Sequence, residues 1–347
     1  MNTPQIAIIN YFTLNISLNM KLHFLPANTG DSLVLEDDKN ILVIDGGMPT
    51  TAAALRGIIN GKNKKCTIVI THQDNDHIGG IVQFLKNRIP GEAFDFIVNM
   101  PDLHYFQSGN KVSVGDVNSL AGLLRSDDVI YPAVDGAVIE VGEFKLRIIS
   151  PPRTVLNKYK SDFEELLSAE RSEQQNISRK VSLAAKIVDC DIDKILNQRK
   201  PIKSDFINRT SIAMIVEANK KVMLFLGDAH PFDIDLALGK FLGKNEELQC
   251  DIVKISHHGS VHSTSSKWLE RIRCRNYMIS TNSAGAYDHP HAPVLGAIVR
   301  QAYLHDFSEC NFFFNYERVK NAIQFVNVPY DFKVSAIFSN EIDIERL

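Results

Sequence analysis

The chain has no run near the ~20 uninterrupted apolar residues that a bilayer-spanning helix requires, no CxxC pair, no internal repeat and no low-complexity tract. The first absence argues against a helical membrane protein and predicts a soluble chain with no membrane partner. The five cysteines, Cys66, Cys190, Cys250, Cys274 and Cys310, are odd in number and scattered. They suggest neither a disulfide framework nor a thiolate zinc site, read as core residues, and fit a reducing cytoplasm. Positive charge is not in excess either, since 38 Lys and Arg stand against 41 Asp and Glu for a formal net charge of −3. That balance argues against wrapping long nucleic acid by bulk charge, while leaving room for a local basic patch. The apolar start, residues 5–20, lacks a basic flank and is broken by Asn10, Asn15 and Asn19, which makes it a poor signal peptide. Residues 1–19 read as an extension ahead of the regular pattern that opens at Met20.

Apolar material for a core is ample, with 44% hydrophobic and 23% charged residues, and 347 residues allow two domains or one large domain with an insertion. Strand patterns are predicted over 21–25, 32–35, 41–44, 66–70, 94–98, 138–141 and 144–149, with helices over 52–60 and 78–86. Residues 151–205 change in texture to polar stretches with apolar residues at helical spacing, such as Phe163, Leu166 and Leu167, or Ile192, Ile195 and Leu196. This segment reads as a helical insertion. Strand patterns then resume over 211–217, 222–226, 251–255 and 277–280, with helices near 234–242, 265–272 and 293–303 and further strand material to 338. The alternation indicates a layered α/β domain.

The densest chemistry is Thr71-His72-Gln73-Asp74-Asn75-Asp76-His77-Ile78-Gly79-Gly80, which follows the apolar strand pattern 66–70 directly. His72, Asp74, Asp76 and His77 put four potential ligands within six residues, on a loop at the end of a strand. Such a loop can converge on two neighbouring cations where a regular helix or strand cannot.

This run resembles the HxHxDH signature of metallo-β-lactamase fold hydrolases, and its variant with Asp at the second His position is similar to the metallo-β-lactamase domain of ComEC-like competence proteins. Other blocks agree in order: Asn28-Thr29-Gly30-Asp31-Ser32, Leu42-Val43-Ile44-Asp45-Gly46-Gly47, Asn208-Arg209-Thr210-Ser211, Leu226-Gly227-Asp228, Lys254-Ile255-Ser256-His257-His258-Gly259-Ser260 and His289-Pro290-His291. The resemblance implies a four-layer αββα sandwich over 20–347, interrupted by the helical insertion at 151–205, with both halves closing on one site. It implies that His72 and Asp74 hold one metal, Asp76 and His77 the second, and that Asp228 bridges both. Two cations so bridged lower the pKa of the water between them. His257 is the expected ligand from the later strand and His258 the alternative. Asp76, His258, His289 and His291 are the expected catalytic groups, and Asp45, Asn208, Ser211 and Lys254 the supports that orient them.

Local readings compete for several of these residues. Asp45 in Asp-Gly-Gly also suits a turn, Asp228 also suits a helix N-cap, and His289 and His291 lie on a proline-rich loop. His23, His104, His230, His262 and His305 read as structural. The wider family supplies a third His to its first metal, and here only His104 falls in that interval. With Asp74 replacing a His as well, the first site is oxygen-rich, which shifts preference from zinc toward manganese. The implied cofactors are two divalent ions, Zn2+ or Mn2+, and the implied activity is a dinuclear phosphodiesterase or nuclease that uses a metal-bridging hydroxide on a phosphate-ester or nucleic-acid substrate. A carbonyl substrate (lactone, thioester or amide) is the first alternative. The second is an effector subunit that docks a protein partner through 151–205.

Overall fold

The computed structural model describes residues 20–100, 115–161, 185–194, 196, 206–244, 246–283 and 288–347. In chain order the first part comprises β1 (Lys21–Phe24), β2 (Leu33–Glu36), β3 (Asn40–Ile44), α1 (Ala52–Ile59), β4 (Lys65–Ile70), α2 (Asn75–Lys86), β5 (Asp95–Val98), α3 (Gly115–Leu123), β6 (Val129–Tyr131), β7 (Val138–Val141), β8 (Phe144–Ser150) and α4 (Arg153–Ser161). The remainder comprises β9 (Lys186–Asp189), α5 (Phe206–Arg209), β10 (Ala213–Ala218), β11 (Lys221–Phe225), α6 (Pro231–Phe241), β12 (Leu248–Gln249), β13 (Ile252–Lys254), α7 (Ser266–Leu269), β14 (Ile272–Arg273), β15 (Asn276–Ile279), α8 (Ala292–Leu304), β16 (Glu309–Phe314), α9 (Glu317–Asn321), β17 (Ile323–Val326), β18 (Lys333–Phe338) and β19 (Glu341–Asp343).

Two sheets dominate the described residues, one in the order β19-β1-β2-β3-β4-β5-β6 and one in the order β18-β16-β15-β13-β11-β10-β8-β7. Their packing follows from strand alternation, because successive side chains point to opposite faces. Leu42, Ile44, Val69 and Ile97 of the first sheet share one core with Met214, Val216, Met223 and Phe225 of the second. The alternate residues Ile41, Val43, Ile68, Ile70 and Phe96 instead pack under α1 and α2 with Leu55, Ile81 and Phe84. Ile215, Leu224 and Val253 do the same on the far side, under the Ile234, Leu238, Trp268, Leu295 and Ile298 side chains of α6, α7 and α8. The result is the αββα order of layers, with helices covering both outer faces. All five cysteines are buried free thiols. Burial pushes Cys66 and Cys274 up to about 12, so they behave as small apolar residues. Among the described residues no helix is long and apolar enough to cross a membrane.

The sheets meet at one edge. The parallel strands β3, β4, β11, β13 and β15 all end there, and the Ile212 amide donates to the Thr71 carbonyl at 2.9 Å, joining the sheets by their backbones. The differences from the sequence reading lie outside this frame. β6 is a short, exposed edge strand whose three residues show no alternation in burial, so its sequence carries no strand period. Inside 151–205, the piece Arg153–Ser161 is helical, but β9 is a strand, paired in parallel with β17. Ile192 and Leu196 then follow in turns and coil rather than on a helix. Phe163, Leu166, Leu167 and Ile195 lie outside the described residues, as do residues 1–19 and His104.

One ion cluster far from this edge gives a direct stability test. The buried Glu36 carboxylate accepts from Lys62 and Lys64, each at 2.6 Å, and pairs with His23 at 3.2 Å. Burial opposes its ionisation, but Lys62, Lys64 and His23 outweigh burial and hold it at about 2 against an ordinary 4.5. A lowered folded-state pKa contributes stability that is present above 4.5 and is lost as pH falls toward 2. Glu36→Gln should therefore lower stability at pH 7 by roughly 2–3 kcal/mol. Urea midpoints measured at pH 7 and below pH 3 should show that gap closing in acid; a gap that does not depend on pH would refute the assignment.

Candidate metal centre

The site begins with backbone contacts that only glycine permits. A Cβ on Gly30 would lie 1.5 Å from the Asp76 carbonyl oxygen, and one on Gly80 would lie 1.9 Å from that of Gly46. Gly46 donates to the His77 carbonyl at 2.7 Å and Gly80 to that of Gly47 at 2.8 Å. The glycines of the first three motifs thus press the β1–β2 turn, the end of β3 and the start of α2 into one unit. Asp76 and His77 lie in the first turn of α2, and Asp74 immediately precedes it.

Asp45 acts on both ends of the ligand loop. Fully buried and in left-handed backbone geometry (φ 59°), it accepts from the Thr71 amide and hydroxyl, both at 2.7 Å, and from His77 Nδ1 at 2.8 Å. A carboxylate can only accept, so His77 carries a proton on Nδ1, and its Nε2 faces Asp228 Oδ2, 3.5 Å away. Supports of this kind typically change metal affinity or activity by about 10–100-fold. Asp45→Asn should weaken divalent-metal affinity by about that factor while the fold persists; calorimetric titration with Mn2+ or Zn2+ measures it, and unchanged affinity would count against this role.

From the second sheet, Ser211 Oγ accepts from the Asp228 amide at 2.9 Å and fixes the turn after β11. Lys254 at the end of β13 is 1% exposed; its ammonium donates to Asp31, to the Gly227 carbonyl at 3.0 Å, and lies 3.8 Å from Asp228 Oδ1. His257 and His258 follow in a turn where both have left-handed backbone (φ 47° and 55°), which fans their rings apart (centroids 5.8 Å, interplanar angle 86°).

Four groupings of three side chains bring ligand atoms within 4.8 Å of one another: His72, His77 and Asp228; Asp76, His77 and His258; Asp31, Asp228 and His258; and Asp31, Asp45 and His77. His257 joins none of them among the described residues. The physical reason lies in the partners of the two rings. His258 Nδ1 faces the Ser280 carbonyl at 2.7 Å and so donates there, which turns Nε2 toward Asp228 Oδ2, 3.6 Å away. His257 Nδ1 instead faces the Asn208 amide nitrogen at 3.4 Å and Ser263 Oγ at 3.2 Å, both able to donate to it. Its Nε2 lies 3.8 Å from Asp228 Oδ2. Both rings thus face Asp228 Oδ2, and of the two only His258 enters a grouping of ligand atoms among the described residues.

Burial opposes ionisation of Asp228, but His258, His77 and His257 outweigh it and hold its carboxyl well below the usual range. Burial likewise disfavours charge on His77, yet Asp228 and Asp45 raise its pKa well above the ordinary 6.5. Protons and carboxylates are balanced here as cations and carboxylates would be. His72 Nε2, His77 Nε2, Asp228 Oδ1 and Asp31 Oδ1 are buried without a hydrogen-bond partner. Such orphaned atoms are costly unless something binds them, and imidazole nitrogens with carboxylate oxygens are the donor set of a divalent cation. The residues fit the group.

Asp74 Oδ2 lies 3.4 Å from His72 Nε2. The buried His289 ring sits against His257 at 5.2 Å and His291 at 5.0 Å. Burial, with His257, His258 and His291 nearby, pushes His289 well below the ordinary imidazole range, so it is neutral. His291 Nδ1 accepts from the Val261 amide at 3.2 Å, where it ties two loops. His23 pairs with Glu36, His230 caps α6 through the Phe232 amide, and His305 pairs with Glu247, as structural residues do. Sequence reasoning missed two groups. Asp31 was visible only as part of a glycine-aspartate turn, and Tyr159 of α4, which donates to Gln73 Oε1 at 2.9 Å and braces the ligand loop, had no signal beyond its helical spacing.

Residues 25–93 match the model of the Metallo-beta-lactamase superfamily. ComE operon protein 3 of Bacillus subtilis (strain 168) is 25% identical over 234 residues, 66% of this chain. The chain spans 29% of that relative's length. Among solved structures, the metallo-beta-lactamase fold protein YhfI from Bacillus subtilis aligns with a TM-score of 0.42 at 11% identity, covering 92% of this chain and 96% of that one. Zn(2+)-bound PqqB from Methylobacterium extorquens aligns with a TM-score of 0.39 at 10% identity, covering 91% and 87%. The superfamily match ends at residue 93, and the second sheet, which lies beyond it, brings Asp228 and His258 to the same edge.

Proposed function

We propose that this chain is a dinuclear metal-dependent hydrolase acting on phosphodiesters. The observation that carries the reading is the charge of the cage. Asp31, Asp45, Asp74, Asp76 and Asp228 stand against the single ammonium of Lys254 among the described residues of the cage. With cations in place of the imidazole protons, four negative charges would remain, the number that two divalent cations neutralise. His72, Asp74 and Asp228 would hold one ion, and Asp76, His77, His258 and Asp228 the other. Two such ions polarise a phosphoryl oxygen and make hydroxide available near neutral pH.

The chain's own residues do the rest. Asp45 keeps the His77 proton on Nδ1, and the Ser280 carbonyl does the same for His258. His257 and His289, whose rings stand 5.2 Å apart beside these ligands, would donate to phosphoryl oxygens. Each such donor is worth about 10²–10³ in rate when aimed at developing negative charge. The preference for phosphorus over carbon rests on the oxygen-rich first site, in which Asp74 stands for an imidazole, and on the likeness to ComE operon protein 3. The test is a panel of a bis-aryl phosphate, short single-stranded DNA and RNA, cyclic dinucleotides, a lactone and a thioester, assayed with Mn2+ and with Zn2+. Turnover of a phosphodiester at least tenfold above the carbonyl substrates is expected; the reverse order would replace this reading by the carbonyl one.

A further inference from the structure

We propose that Lys186 is a positioning residue for His289, an inference that rests on the phosphodiesterase reading in so far as it gives His289 a phosphoryl oxygen to meet. Lys186 opens β9, whose partner strand is β17, and its side chain is 6% exposed. The ammonium donates to the carbonyls of Asp288 and Pro290, the latter at 2.9 Å, and pairs with the Asp288 carboxylate at 2.9 Å. An ammonium has three donors, and all three are spent on the two residues that flank His289.

The loop is held from its other side as well. Ser283 Oγ donates to the His289 carbonyl at 2.6 Å. A Cβ on Gly259 would lie 2.8 Å from Pro290 Cβ, so the proline rests on the turn that carries His257 and His258. The carbonyls of residues 288, 289 and 290 are each engaged, which fixes where the His289 ring stands against His257 and, at 6.0 Å, against His258. β9 itself is anchored, because the Asp189 carbonyl occupies the space a Cβ on Gly296 of α8 would need (2.3 Å). A strand does not require a buried ammonium, and burying one is costly unless it is paired. A site that must hold an imidazole to a fraction of an ångström does gain from one, since a 1 Å misplacement costs on the order of 10²-fold in rate.

The experiment compares wild type with Lys186→Met, Lys186→Arg and Asp288→Ala, each as the full chain loaded with Mn2+ or Zn2+. It measures kcat and KM on a bis-aryl phosphate, bound metal per chain, and the histidine ring resonances by NMR. Lys186→Met should lower kcat about 10–100-fold with KM within about twofold and metal content unchanged. Arginine should recover part of the loss, and Asp288→Ala, at an exposed carboxylate, should give a smaller fall in the same direction. The His289 resonances should move in Lys186→Met and Asp288→Ala, while those of His77 should not. The proposal is overturned if kcat and the His289 resonances of Lys186→Met match wild type. It is equally overturned if Lys186→Met fails to fold or loses metal while Asp288→Ala is indistinguishable from wild type. Should wild type hydrolyse no phosphodiester, the functional reading fails by itself, and the His289 resonances still decide the positioning role.

Discussion

Asp228→Ala should abolish phosphodiester hydrolysis, by at least about 10³-fold, and remove one bound metal ion while the sandwich stays folded. The magnitude follows from what the carboxylate does: its Oδ2 lies 3.5 Å from His77 Nε2, 3.6 Å from His258 Nε2 and 3.8 Å from His257 Nε2, so it is common to both ligand halves. Lewis-acid stabilisation by a cation contributes several kcal/mol, and each ~1.4 kcal/mol is tenfold in rate. The fold should tolerate the change, because the nearby cation, Lys254, retains Asp31 and the Gly227 carbonyl as partners. Asp228→Asn keeps the shape and removes the charge, and should lose nearly as much activity. His72→Ala tests the same centre from the first sheet. Near-wild-type turnover in a folded, metal-assayed Asp228→Ala chain would show that the reaction occurs elsewhere.

The second large effect is on stability. Lys254→Met should cost about 3–5 kcal/mol, the usual penalty for breaking a buried ion pair from one side. Burial opposes ionisation of Asp31, but Lys254 and then His258 outweigh it and hold the carboxyl at about 2. Without the ammonium, that negative charge is stranded beside Asp228. The double variant Asp31→Asn with Lys254→Met removes both charges and should recover more than half of the loss, as paired neutral replacements often do. Urea midpoints at unchanged slope measure all three chains in the metal-free state. A double variant no more stable than Lys254→Met would mean that lysine packing, and not charge, matters at this position.

These two residues also mark how far the sequence reaches. The layers were legible because β3, β4, β5, β10 and β11 read as short apolar, β-branched runs that alternate with helical patterns along the chain, whereas which side chain faces which core is visible only in the structure. The ligand run 72–77 was legible because two imidazoles and two carboxylates crowded onto one short loop suit a cation better than they suit a turn. The pairing of Asp31 with Lys254 was not, since 223 residues separate them and each alone is an ordinary charged residue. The choice between His257 and His258 was not legible either. Strand periodicity would assign adjacent residues to opposite faces, but both have left-handed backbone in a turn, and both rings face Asp228. β9 escaped notice because its partner β17 lies more than a hundred residues away, in a segment whose surroundings suggested helix.

Metal content tests the central claim most directly. The chain, dialysed against Mn2+ or Zn2+ and then against buffer, is assayed by plasma mass spectrometry beside its concentration. Two ligand groups sharing Asp228 call for about two divalent ions per chain, falling to about one in Asp228→Ala. A folded wild-type chain that retains less than one ion from either metal would contradict the account.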